Sequence, residues 1–214
     1  MVLDNQRENV DPIISKFAKI FLNVNPDVLT CLSLLFAFLA GLFFLYSRPS
    51  QELFNFFLVF ASIFIFLNGL FDALDGKVAK LTNKTSKKGD FLDHALDRYS
   101  DVLIVGALAL SAWSRYPSIG ILAIVGMLLT SYMGTQAQAI GYKRNYSGLL
   151  GRADRMVLLI FAPIIQHFLL LYGVSTIYTF NLLEWVLIYF AVVGNFTAIQ
   201  RFFTTLKWFK NKDN

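Results

Sequence analysis

Apolar residues arrive along the chain in six long blocks, at about residues 27–46, 53–71, 91–113, 116–140, 153–174 and 178–202, separated by short polar or basic stretches. Each block is near the roughly 20 residues a helix needs to cross a bilayer. In a lipid core every backbone N–H and C=O must be satisfied within its own segment, which excludes open strands. The pattern predicts an all-α, polytopic membrane domain of six transmembrane helices over residues 27–205. Ahead of it, in "DPIISKFAKIFLNVNP", Ile13, Ile14, Phe17, Ile20 and Phe21 share one helical face while Lys16 and Lys19 fall off it. Residues 1–26 are therefore expected to hold an amphipathic helix lying in the membrane interface, capped by Asp11 with Pro12 at its first position. Residues 206–214 complete the chain as a basic tail.

Composition agrees with the membrane class. The chain is 56% hydrophobic and only 15% charged, against about 25% charged in soluble domains. The start, "MVLDNQRENVDP", is polar and acidic, so no cleavable signal peptide is expected. Cys31 has no second cysteine to pair with and reads as a small packing residue.

Placement of the charges adds orientation. Lys77, Lys80, Lys84, Lys87 and Lys88 crowd the connection after the second block. Lys143, Arg144, Arg152 and Arg155 surround the one after the fourth, and Arg201, Lys207, Lys210 and Lys212 mark the C-terminal end. The alternate connections carry little beyond Arg48 and Arg115. By the positive-inside rule both termini and the two basic connections are cytoplasmic, as an even number of spans requires. Bases that flank membrane helices form no soluble face, so no nucleic-acid partner is expected.

The acids are the unusual feature. Asp72 and Asp75 stand three residues apart at the end of the second block, about 60° apart on a helix. Asp93 and Asp97 stand four apart at the start of the third, about 40° apart, and Asp90 and Asp101 continue that face. Carboxylates aimed at one another repel and lose hydration unless a cation lies between them. The candidate ligands are oxygens, with His94 the only nitrogen nearby, which suits a hard divalent ion such as Mg²⁺. Gly76 and Gly89 leave room for backbone to approach a ligand, or for a tight turn. Helix capping accounts for any one of these acids alone, and a cation or proton pathway is the rival reading of the group.

Asp72-x-x-Asp75-Gly76-x-x-Ala79-Lys80, eight residues, then Gly89-x-x-x-Asp93-x-x-x-Asp97 resembles the signature of the CDP-alcohol phosphotransferases. Only Lys80 departs from it, standing where the family has Arg; the charge is kept and the planar fork is lost. "NPDVLT", which ends at Thr30, resembles a family segment near the CDP group. The resemblance implies transfer of a substituted phosphoryl group from a CDP-linked lipid to an alcohol, with release of CMP. It implies two Mg²⁺ or Mn²⁺ ions on Asp72, Asp75, Asp93 and Asp97, and Asp97 as general base. It places nucleotide near Thr30, Asp72, Gly76, Ala79, Lys80 and Gly89, at the cytoplasmic surface of the membrane, and implies a homodimer.

For the acceptor, Arg152 and Arg155, three residues apart, can face one anion, with Lys143 nearby. Arg152-Ala153-Asp154-Arg155 is similar to a segment of the family's inositol-phosphate branch, whereas Gly134 and Gln136 stand where that branch carries two further arginines. A phosphorylated small polyol, inositol 1-phosphate or glycerol phosphate, is the expected acceptor. Serine or free inositol is the alternative within the same chemistry. A membrane prenyltransferase fits less well, because its acidic motifs usually lie far apart in the chain.

Overall fold

A computed structural model of the chain describes residues 7–49, 56–142, 145 and 148–212. These form seven α-helices: α1 (Arg7–Ala18), α2 (Pro26–Tyr46), α3 (Phe56–Leu81), α4 (Lys87–Leu110), α5 (Pro117–Ala139), α6 (Arg152–Leu171) and α7 (Leu182–Lys212). A single 3₁₀ turn, Lys19–Phe21, follows α1, and among the described residues the only β pairing is the isolated bridge Ile177–Phe180. Helices α2, α3, α5, α6 and α7 are long and apolar enough to cross a membrane. The 24-residue α4 is equally long but carries four acids, Asp90, Asp93, Asp97 and Asp101, in its first two thirds.

Two boundaries differ from the sequence reading. Helix α3 continues unbroken to Leu81, so Lys77 and Lys80 lie on its last turns rather than in a loop. Gly76 is likewise helical, and Gly89 lies in the first turn of α4, where its N–H donates to the capping Ser86 hydroxyl at 3.0 Å. Neither glycine makes a turn. Helix α1 already includes Arg7, which puts Pro12 inside it. Asp11 is not its cap: the carboxylate instead accepts from Lys77 of α3 at 2.7 and 2.8 Å. The apolar face of α1 is split as well. Ile14, Phe21 and Val24 pack with Ala18 against Leu70, Phe71, Leu74 and Val78, while Ile13, Phe17 and Ile20 are exposed.

Helix α2 packs between α3 and α4, α6 lies on α3, and α5 pairs with α7. Phe43 of α2 stacks on Phe64 and meets Phe57 and Phe60 of α3, an aromatic ladder on the shared face. Elsewhere small residues let backbones approach, as helix pairs in membranes require. Thr130 donates to the Gly194 carbonyl at 2.9 Å, and a Cβ on Gly126 would lie 2.7 Å from the Asn195 backbone nitrogen. Gly126→Ala is expected to push α5 from α7 and to destabilise the protein by about 1–3 kcal/mol, the usual cost of overpacking. Reversible unfolding in mixed micelles measures it, and an unchanged stability would show that the two helices yield freely.

The end of the bundle far from the acids is tied by buried polar groups. Trp113 Nε1 donates to Ser47 Oγ at 2.6 Å, and Asn181 Nδ2 donates to the Trp113 carbonyl at 2.7 Å. The fully buried Glu184 accepts the Arg115 N–H at 2.8 Å, and Gln166 accepts the Leu182 N–H at 2.7 Å. These bonds hold α2, the α4–α5 turn, α6 and the start of α7 together. The motif acids lie at the opposite end of the bundle.

Candidate active site

Asp72 and Asp75 lie in the last third of α3, and Asp93 and Asp97 in the first half of α4. Because α2 intervenes, the two helices touch little along their lengths, and they face each other mainly through these side chains. Asp72 and Asp97 come within hydrogen-bonding reach of one another, and Asp75 lies close enough to Asp72 and Asp93 to feel their charge. Asp75 and Asp97 are 4% and 6% exposed, so water screens this repulsion poorly. Asp93, His94 and Asp97 each offer a ligand atom, all within 4.8 Å of one another.

The cation between the two helices comes from the protein. Arg152, the first residue of α6, donates to Asp72 Oδ2 at 2.7 Å and lies 2.5 Å from Asp97 Oδ1. The start of its helix is held by one bond: the Asp154 carboxylate accepts the Gly151 N–H at 2.9 Å. One turn on, Arg155 donates to Asp101 at 2.7 Å, with the two side chains 3% and 6% exposed. Arg98 lies 3.3 Å from Asp97 and 3.7 Å from Asp101. The two α6 arginines thus hold different carboxylates.

The donor set fits divalent metal. Asp72 Oδ1 and Asp75 Oδ2 are buried with no hydrogen-bond partner, an expensive state for carboxylate oxygens unless a cation meets them. With Asp93 and Asp97 they make an all-oxygen set from two helices, of the kind that suits Mg²⁺ or Mn²⁺.

Other candidates surround this group. Thr30 is buried beside Asp75 and also donates to the Pro26 carbonyl at 3.1 Å. Space is open around Gly76, where a Cβ would meet nothing within 4 Å. Ala79 is half-buried and Lys80 exposed on the same α3 end, while Gly89 approaches Asp27, which binds Lys88 at 2.8 Å. Lys143 lies outside the described residues.

A family model described as CDP-alcohol phosphatidyltransferase matches residues 23–197. The chain belongs to that family. Archaetidylinositol phosphate synthase of Pyrococcus horikoshii is 29% identical over 143 residues, which is 67% of this chain and 71% of that protein. The crystal structure of Mycobacterium tuberculosis phosphatidylinositol phosphate synthase with CDP-DAG bound superposes with a TM-score of 0.70 at 24% identity, covering 91% of this chain and 94% of that one. The same enzyme in complex with manganese and citrate gives 0.70 at 24% identity, over 90% and 88%. As a member of the family the protein is a CDP-alcohol phosphotransferase of phospholipid synthesis, built as a multi-pass membrane protein.

Sequence spacing did not reveal the arginine partners. Arg152 and Arg155 read together as a clamp for one anion, yet each meets an acid, Arg152 on Asp72 of α3 and Arg155 on Asp101 of α4. The one available signal was Asp101, a lone acid continuing the Asp93–Asp97 face with no place in the family signature. Beneath the acids, Asn68 donates to the Ser33 carbonyl at 2.9 Å and to Ser100 Oγ at 3.3 Å, so the polar group extends one turn deeper than the motif.

Proposed function

We propose that the protein transfers the phosphatidyl or archaetidyl group of a CDP-linked lipid to the hydroxyl of inositol 1-phosphate, releasing CMP. The observation that carries this reading is the group of four carboxylates, two with unpartnered buried oxygens, beside arginines at the start of α6. That the Pyrococcus and Mycobacterium relatives are synthases of archaetidylinositol phosphate and phosphatidylinositol phosphate supports the acceptor.

Asp72, Asp75, Asp93 and Asp97 would hold two divalent ions, Mg²⁺ or Mn²⁺, and the manganese complex of the Mycobacterium enzyme supports this. When bound, such ions neutralise the pyrophosphate and the charge that develops on departing CMP. Thr30, Gly76, Ala79, Lys80 and Gly89 line the approach of the nucleotide, and the open space at Gly76 suits a ligand pressed against the α3 backbone. Asp97 takes the proton of the attacking hydroxyl. Arg152 forms the cationic side that receives the acceptor phosphate, with Lys143 assigned to it from the sequence alone, whereas Arg155 is taken up by Asp101.

In this reading α4 is the sixth span, with its acids at the cytoplasmic membrane surface. A lipid donor then keeps its tails in the bilayer while its nucleotide reaches the carboxylates. The exposed Ile13 and Phe17 of α1 and Ile20 of the 3₁₀ turn lie in the headgroup layer, the basic C-terminal end of α7 faces the cytoplasm, and the enzyme works as a homodimer.

Purified protein in lipid nanodiscs, given CDP-diacylglycerol or CDP-archaeol with Mn²⁺, tests the acceptor. Inositol 1-phosphate is expected to support CMP release at least about tenfold faster than inositol or serine, because an unphosphorylated alcohol leaves the cationic side unpaired. Equal rates with inositol and its phosphate would contradict the assignment.

A further inference from the structure

The Arg152 guanidinium spans Asp72 of α3 and Asp97 of α4 with one nitrogen on each, at 2.7 and 2.5 Å. Each of these carboxylates thereby gives an oxygen to a monovalent cation supplied by α6. The Gly151 N–H donates to the Asp154 carboxylate at 2.9 Å, which ties the backbone where Arg152 begins α6. The Arg152 Nε has no hydrogen-bond partner, so the guanidinium is held from its two terminal nitrogens only. Arg155 is differently placed: it is buried against Asp101, which is not among the four carboxylates. Arg98 also contacts Asp97, but from the same helix and at 3.3 Å.

We infer that Arg152 is a resident counter-cation that divalent metal must displace, so that metal loading and phosphate binding are coupled through this one side chain. The inference rests on the metal reading given above. A divalent ion shared by Asp72 and Asp97 needs the oxygens that Arg152 now engages, or else lies within a few ångströms of its positive charge. Either way Arg152 opposes metal in the empty site. Displacement leaves a charged, two-armed guanidinium at the site's edge, suited to bidentate capture of a phosphate. A phosphate that holds Arg152 away from the carboxylates then tightens the metal, and by linkage the metal tightens the phosphate by the same factor. Arg152 is on this account a positioning residue in the metal-free enzyme and an anion ligand in the loaded one.

The test is Mn²⁺ binding followed by electron paramagnetic resonance on the whole protein in nanodiscs, with no donor and no turnover. Arg152→Gln is expected to bind Mn²⁺ about tenfold more tightly than wild type, the scale of one unit charge removed beside the ion. Lys88→Gln removes the same charge from an exposed position and is expected to stay within about twofold of wild type. Inositol 1-phosphate is expected to tighten Mn²⁺ about tenfold in wild type and hardly at all in Arg152→Gln. Arg152→Lys retains the charge but cannot span both carboxylates, and its Mn²⁺ affinity is expected between the two. It also serves if the Gln variant does not fold. Mn²⁺ binding that is equal in wild type and the Arg152 variants overturns the inference while leaving the metal site intact. Saturable Mn²⁺ binding in none of them overturns the metal reading and the inference together.

Discussion

Asparagine in place of Asp97 is expected to slow CMP release by about three orders of magnitude in a protein that remains folded. The size follows from what the side chain is assigned: a proton acceptor, worth about 10²–10⁴ in rate, and a shared ligand of the metal site. Folding is expected to survive for a structural reason. Asp97 is buried among Asp72 and Asp93, so losing its charge relieves repulsion, while the one remaining amide oxygen can still accept from Arg152. Rate and unfolding midpoint measured on the same preparation separate the two effects. A variant that keeps more than a tenth of the wild-type rate would remove Asp97 from the chemistry.

Arg155→Gln carries the largest expected effect on stability, a loss of about 3–5 kcal/mol, because it leaves one partner of a buried ion pair behind. Arg155 and Asp101 are 3% and 6% exposed and 2.7 Å apart, and Arg98 at 3.7 Å is too far to replace the lost contact. Replacing both partners, as in Arg155→Met with Asp101→Leu, removes the stranded charge and is expected to recover most of the loss. Unfolding in mixed micelles of the single and double variants decides between outcomes. A single variant as stable as wild type would show that water reaches Asp101, and that this pair does not anchor α6 on α4.

What could be read in advance, and what could not, follows from the range of each signal. Membrane helices announce themselves locally, because each needs an unbroken apolar run; a helix overlaps every apolar block, and five of those helices are long and apolar enough to cross a membrane. The Asp72–Asp97 spacing was equally legible, since a helix fixes which side chains share a face within two turns. Helix ends were not. Hydropathy falls near Asp72, yet α3 continues to Leu81, because a helix can leave the apolar layer without ending. Nor could the α1 stripe be divided beforehand into Ile14 and Phe21 against α3 and Ile13 and Phe17 outward, because the dividing surface lies some fifty residues away. The same holds at the site. Arg152 reaches Asp72 across eighty positions in the chain, and only the packing of α6 on α3 makes that contact.

The central claim is tested most directly by mass spectrometry of the lipid formed from CDP-diacylglycerol and inositol 1-phosphate, alongside the CMP released. The expected product carries one phosphodiester and one phosphomonoester, appears one-for-one with CMP, and vanishes when EDTA removes the metal. Phosphatidate with CMP, formed whether or not the acceptor is present, would make the protein a hydrolase. Cation flux across liposomes with no CDP-lipid consumed would return the acids to a transport path.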